Sequence, residues 1–540
     1  MNQSAVFHQT FSPWLSIRSD RSIEIRIRTG LDIETVQLIY GDPHQGLISK
    51  EGWSWKGQTI DMKLTGRNTH HQYFMVTIQA PQQRLKYAFK LTSDETEYYG
   101  DQKFMKQMNP MEIWSFFFLP YVHTTEQYHA PAWVKDTVWY QVFPDRFHAS
   151  PELPLWPDTA VNNHDHAGGN LAGIKTKLPY LAELGITGLY MTPIFLSPSV
   201  HKYDTADYFK IDPHFGTEQD LIDLVQEAHR LGIKVMLDAV FNHVGLEFEA
   251  WKKAQTMESP YRAWFHFTQN TYETFSFAKN MPKLNTEHPD VIDYFCKVGT
   301  YWIEKADIDG WRLDVANEVS PVFWRAFRTR TKAIKPDLYI LGEIWHDANP
   351  WLKGDMMDGV MNYPLTQLAQ HFFIDQDLSL PQFVQEIQTY RNRYPFEVSL
   401  HQFNLYDSHD TVRLMSLAKG DTQKVRLALC FLLFSFGSPC LYYGTEFGQE
   451  GLFDPDNRRR MQFPSHYQDH PLYLWVKELI RIRKSLKPLL DFNDWAIGYE
   501  ETLCWIEWSK DRIWMNLSDQ NVKNSQGLLF TPYEVKFIPQ

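Results

Sequence analysis

Arg312 and Asp314 stand two apart in the apolar run GWRLDV, so on a strand their side chains point the same way. A guanidinium beside a carboxylate favours the charged form of the acid, and an ionised carboxylate can act as a nucleophile. An isolated R-x-D is more often a structural ion pair at a strand end, so the assignment depends on what converges with it. The chain supplies Asp238, Asn242 and His243 in DAVFNH, Glu343 after LYILG, and His409 with Asp410 in FNLYDSHD. Each alone reads as a cap, a loop charge or a satisfied core histidine. Acids gathered on one rim repel one another unless a function requires them, which favours a reaction centre.

The elements that must carry these residues alternate between strand and helix. Candidate strands are Thr137–Phe143, Gly185–Met191, Ile233–Val240, Gly310–Val315, Leu338–Ile344, Gly359–Tyr363, Leu400–Tyr406 and Ser438–Gly444. Helical patterns such as Glu218–Gly232 and Gln423–Gly437 separate them. Eight such units predict an α/β fold, a (β/α)8 TIM barrel over residues 132–489, with chemistry at the C-terminal ends of its strands. The long segment after the third strand, about 245–289, reads as a small inserted subdomain. Ahead of the barrel, short runs at Ile23–Thr29, Thr35–Tyr40, Tyr73–Ile78, Leu85–Leu91 and Ile113–Tyr121 predict an N-terminal β-sandwich over 1–122, followed by a linker at 123–131. The runs LCWIEW, DRIWMNL and YEVKFI predict a short C-terminal β domain over 490–540.

Bulk properties exclude several classes. The net charge of -12, with no basic face, argues against nucleic acid. Cys296, Cys430, Cys440 and Cys504 are scattered without metal spacing and read as reduced, buried thiols. The start of the chain has no basic and apolar leader, and no run is long and uncharged enough to span a bilayer. A soluble cytoplasmic protein without membrane contact is expected. The 19 tryptophans suit either flat apolar ligands such as sugar rings or a large aromatic core, and composition does not separate the two.

The segments DAVFNH, GWRLDVANE, GEIW and FNLYDSHD resemble, in order and position, the four motifs of the α-amylase superfamily, glycoside hydrolase family thirteen. MPKLN (Met281 to Asn285) is similar to the fifth motif of its neopullulanase, cyclomaltodextrinase and maltogenic amylase subfamily. APAWVKDTVWYQVFPDRF and HKYDTADY extend the resemblance to nearly the whole chain. It implies Asp314 as nucleophile, Glu343 as general acid/base and Asp410 as the acid that stabilises the transition state, and the apolar neighbours Ile344 and Trp345 predict a drier setting for Glu343 that suits a proton donor. It implies substrate contacts from Tyr203, Asp238, Asn242, His243, Arg312, Glu318 and His409, an acceptor subsite at Trp345, and sugar binding by Asp454 and Arg458. The implied activity is retaining hydrolysis of α-1,4 bonds in cyclodextrins, pullulan and maltooligosaccharides, with transfer to sugar acceptors. An oligo-1,6-glucosidase and a catalytically dead glucan-binding protein stay open as alternatives. The subfamily also implies a homodimer in which the N-terminal β domain covers a partner's barrel. Many relatives hold calcium in an Asn/Asp-rich loop after the first strand and at a GGD segment. Here HASPELPLWPD and GGN (Gly168 to Asn170) stand instead, so no metal or other cofactor is expected, with binding through backbone carbonyls left open.

Overall fold

The computed structural model describes residues 1–539 except 51, 102, 112–114, 152–160, 270 and 487–494. The chain forms two compact units, Met1–His129 with Ser379–Ser399, and Ala130–Leu378 with Leu400–Gln540.

The second unit contains eight parallel strands: β1 (Trp139–Val142), β2 (Gly188–Met191), β3 (Lys234–Val240), β4 (Gly310–Asp314), β5 (Tyr339–Gly342), β6 (Gly359–Val360), β7 (Phe403–Asn404) and β8 (Ser438–Tyr442). They pair in the order β6-β5-β4-β3-β2-β1-β8-β7. A parallel bridge between Met361 and Phe403 joins the two ends and closes the barrel. Its interior is packed by Trp139, Tyr190, Met236, Tyr339, Leu341, Phe403 and Cys440, so the near-continuous apolar strands follow from burial on both faces. Above this layer the strands turn polar. Register sets Asp238 of β3 directly beside Arg312 of β4, and Val240 beside Asp314.

Between β3 and the helix Pro289–Ala306 the inserted segment folds into a short helix, Glu249–Ala254, a 3-10 turn, Pro260–Trp264, and isolated bridges that include His243 with Lys283. The bridge holds the inserted segment against the end of β3. Toward the C-terminus an antiparallel sheet of Trp495–Glu500, Leu503–Trp508, Asp511–Asn516 and Val535–Ile538 is tied to the barrel, where the Trp495 and Trp508 indoles both donate to the Phe434 carbonyl.

The first unit is a sandwich of a four-stranded and a six-stranded sheet around Ile23, Ile25, Ile27, Leu38, Phe74, Tyr87 and Phe89. Part of the expected strand Ile113–Tyr121 lies outside the described residues, and Phe117–Leu119 pairs with Leu85–Tyr87. The helix Leu380–Arg391 belongs to this unit although chain order places it between β6 and β7. Asn392 accepts from the Thr65 hydroxyl at 2.9 Å, and Arg26 donates to the Tyr394 carbonyl at 2.5 Å. Its apolar residues Phe383, Val384 and Ile387 are buried.

Candidate active site

At the C-terminal ends of the strands lies a cavity of about 590 Å³, within the range of small-ligand sites. Its lining includes Tyr203, His243, Asp314, Glu343, Trp345, Asp410, Asp454 and Arg458.

Arg312, fully buried, organises the floor. Nη1 lies 2.7 Å from Asp314 and 3.2 Å from Asp238, while Nη2 lies 3.1 Å from Glu343 and 3.9 Å from Asp410. One guanidinium cannot neutralise four carboxylates, so the acids compete for it. Burial, then Glu343, push the Asp314 carboxyl well above the usual range, with Arg312 opposing. Burial likewise takes Asp238 up to about 6 against the pull of Arg312, and raises Asp410. This corrects the reading from sequence, in which Arg312 alone decided the state of Asp314.

The surroundings of Glu343 also differ from the apolar setting expected. Its carboxylate accepts from the Val315 N–H at 3.0 Å and from the Trp345 indole N–H at 3.0 Å, besides the contact to Arg312. Val315 reaches it from a left-handed conformation, φ 44°, directly after β4. That conformation is strained for a β-branched side chain, at a cost on the order of 1–3 kcal/mol. Trp345 is held flat against Tyr363, with rings 3.6 Å apart and 5° from parallel, and stays half exposed. It can therefore offer a ring face to a sugar while its N–H orients Glu343.

Several residues expected to touch a ligand are placed deeper or farther out than the cavity lining. Asp238, Asn242, Arg312 and His409 are buried and do not line the cavity. Asp238 accepts from the hydroxyls of Tyr190 at 2.6 Å and Tyr203 at 3.0 Å, so it fixes other site residues from behind. His409 contacts Tyr203 and Asp410. Glu318 is half exposed, outside the lining, and paired with Lys283 at 2.7 Å. His243 does reach the cavity. It stacks on Phe275 at 4.7 Å, its Nε2 has no hydrogen-bond partner among the described residues, and burial lowers its pKa to about 3. A neutral imidazole facing the cavity suits a hydroxyl partner. Asp454 pairs with Arg458 at 2.9 Å, and Arg458 approaches Asp410 at 3.6 Å.

Sequence reasoning missed four contributors. Phe275 and Phe277 of the inserted segment line the cavity, Phe277 almost fully exposed. Tyr363 backs Trp345. Asn457, buried, donates to the carbonyls of His409 at 2.8 Å and Thr411 at 2.9 Å and so clamps the loop that carries Asp410. An aromatic-rich insertion was the signal for the first two; nothing local marked the others.

Glu152 and Asp158 of the loop where relatives hold calcium lie outside the described residues. Among the described residues the donors nearby do not fit that ion. Asn170 caps the helix Leu171–Leu184 by accepting from the Gly173 N–H at 2.7 Å, and its own N–H donates to the Ser150 carbonyl at 3.1 Å. Asp145 accepts from the Ala167 N–H at 2.8 Å and faces Arg146 at 3.0 Å and His166 at 3.1 Å. Calcium takes six to eight oxygen ligands, and among the described residues the side-chain oxygens of Asp145 and Asn170 already accept from N–H groups. EDTA should leave both melting temperature and cyclodextrin hydrolysis unchanged. A large loss of either, restored by calcium and not magnesium, would contradict this.

The alpha amylase catalytic domain family matches residues 141–462, and the alpha amylase N-terminal ig-like domain family matches residues 1–123. The chain is 43% identical over 507 residues to a cyclomaltodextrinase of Geobacillus thermopakistaniensis (strain MAS1), covering 91% of this chain and 86% of the relative. It is 40% identical, with the same coverage, to an intracellular maltogenic amylase of Bacillus subtilis. A solved cyclomaltodextrinase structure superposes with a TM-score of 0.85 at 35% identity, over 96% of this chain and 90% of that one. With both of its domain families matched and relatives of this similarity along most of its length, the chain belongs to the alpha-amylase family.

Proposed function

We propose that the chain hydrolyses α-1,4 bonds of cyclodextrins, pullulan and maltooligosaccharides with retention, and transfers glycosyl groups to sugar acceptors. The observation that carries this reading is the single buried guanidinium of Arg312, which gathers Asp314, Glu343 and Asp410 at the floor of one cavity. Asp314 attacks the anomeric carbon as Glu343 protonates the departing oxygen. Glu343 then takes a proton from water, or from a sugar hydroxyl, as that oxygen bonds to the anomeric carbon and displaces the Asp314 carboxylate. Asp410 grips hydroxyls of the reacting ring. Trp345 and Phe277 offer ring faces to neighbouring glucose units, and Asp454 with Arg458 binds units further along. The cyclomaltodextrinase and maltogenic amylase relatives support this substrate class. Product analysis on γ-cyclodextrin, pullulan and soluble starch tests it, with the first-formed anomer read by NMR. No release from any of the three, or an inverted anomer, rejects it.

The same reading places the enzyme in the cytoplasm, in line with the intracellular name of one relative, and makes it a homodimer through the first unit. No helix among the described residues is long and apolar enough to cross a membrane. The hairpin Gly46–Ser49 with Gly52–Trp55 carries Leu47 at 66% and Ile48 at 88% exposure, an apolar tip that suits a partner surface. Removing residues 1–122 is a poor test, because it strips the helix Leu380–Arg391 of the sheet that buries it. Leu47→Lys with Ile48→Glu should instead give a folded monomer by light scattering and shift preference from cyclodextrin toward starch. A dimer unchanged by the pair of substitutions counts against this interface.

A further inference from the structure

Gln141 lies on β1, fully buried, within the segment APAWVKDTVWYQVFPDRF but given no role above. Its Nε2 stands 2.7 Å from Nδ1 of His409, and its Oε1 is shielded without a hydrogen-bond partner among the described residues. The opposite amide orientation would strand an N–H pair in place of one carbonyl. Orphaned buried N–H groups are the rarer case, so Gln141 is the donor and Nδ1 the acceptor. The proton of a neutral His409 then sits on Nε2.

That position matches everything on the far side of the ring. Nε2 lies within hydrogen-bond reach of the Tyr203 hydroxyl and 3.1 Å from Asp410 Oδ2. The Tyr203 hydroxyl donates in turn to Asp238 at 3.0 Å, and Asp238 accepts again from Tyr190 at 2.6 Å. Every donor in the sequence Gln141, His409, Tyr203, Asp238 therefore points the same way. With the proton on Nδ1, the lone pair of Nε2 would face the Asp410 carboxylate. Burial, together with Arg458 and Arg312, holds the His409 pKa well below its ordinary value, so the ring is neutral and its tautomer is open to control. Glu343, His201, Asp410 and Tyr203 are the remaining titratable groups around it.

We propose that Gln141 is a positioning residue that fixes the Nε2–H tautomer of His409 and so sets the direction of the hydrogen bonds holding Tyr203 and Asp410. This rests on the α-glucan hydrolase reading, in which Asp410 grips the reacting sugar.

The test compares Gln141→Glu with Gln141→Met in the full chain. An ionised carboxylate at position 141 demands a proton on Nδ1 and reverses the chain of donors, whereas methionine keeps the bulk and imposes no tautomer. Around neutral pH, Gln141→Glu should lose about 10–100-fold in kcat on γ-cyclodextrin with KM little changed, and Gln141→Met should lose less. Protonation turns the introduced carboxyl into a donor again, so the deficit of Gln141→Glu should shrink as pH falls. Equal, pH-independent losses in both variants would reduce Gln141 to packing and overturn the proposal. A second readout needs no turnover. In protein labelled with [15N]histidine, the His409 signals, assigned by their loss in His409→Gln, should show protonated Nε2 and bare Nδ1. The reverse pattern in the unmodified chain overturns the proposal even if the chain cleaves no glucan, while inactivity of the unmodified chain rejects the hydrolase reading alone.

Discussion

Asp314→Asn lowers turnover of γ-cyclodextrin by on the order of 10⁴-fold or more, as loss of a nucleophile does. The substitution keeps the shape of the side chain, and its amide oxygen can still accept from Arg312, which lies 2.7 Å from Asp314. Stability should move the other way. The folded state raises the Asp314 pKa above its unfolded value, so the ionised group destabilises the fold at neutral pH. This cost is fully present above the raised folded pKa and disappears as pH falls through it toward the unfolded value. At pH 7, Asp314→Asn should therefore melt no lower than the parent, and any advantage should shrink on acidification. Calorimetry across pH and a kcat measurement decide both halves. Near-parental turnover removes Asp314 from the mechanism, and a large drop in melting temperature at pH 7 contradicts the account of its environment.

The position of that acid was legible in the chain, but its electrostatics were not. The R-x-D spacing places Arg312 and Asp314 on one side of a strand, because alternation along β4 is a local property. The burial of Asp314 and the approach of Glu343 arise from the closing of the barrel, and the second acid comes from β5. The same limit hides the depth of His409 and Asp238, both buried and both in contact with the Tyr203 hydroxyl. Chain position gives the strand end, while depth depends on the side chains packed in front. Gln141 of β1 meets His409 from the loop after β7, one strand removed, and Asn457 clamps the Asp410 loop from a segment beyond β8. Neither has a periodicity or a neighbour that announces it. Helix Leu380–Arg391 fails differently. Its amphipathic pattern calls for an apolar partner, but chain order suggests the barrel, whereas the sandwich supplies the surface.

Glu343→Gln separates the two acids. Retaining hydrolysis needs the Asp314 and Glu343 pair to carry one proton, on the acid that faces the leaving oxygen. Glutamine keeps one oxygen to accept from the Val315 N–H on the side that faces Arg312, and gives up the bond from the Trp345 N–H, which goes to the other carboxylate oxygen, while proton delivery is lost. Turnover of natural glucans should fall about 10²–10⁴-fold. A glycosyl fluoride substrate, whose leaving group needs little acid assistance, should lose far less at the first step. The pH profile on that substrate carries the sharper expectation. Glu343 is the largest influence after burial that pushes Asp314 upward. That push acts only when Glu343 is itself ionised, and on the acid limb it holds the shared proton, so the acid limb of fluoride consumption should stay in place in Glu343→Gln. The alkaline limb set by loss of the shared proton should vanish. An alkaline limb that survives Glu343→Gln would mean that the two carboxylates do not share a proton. Undiminished cleavage of γ-cyclodextrin would mean that another group donates it.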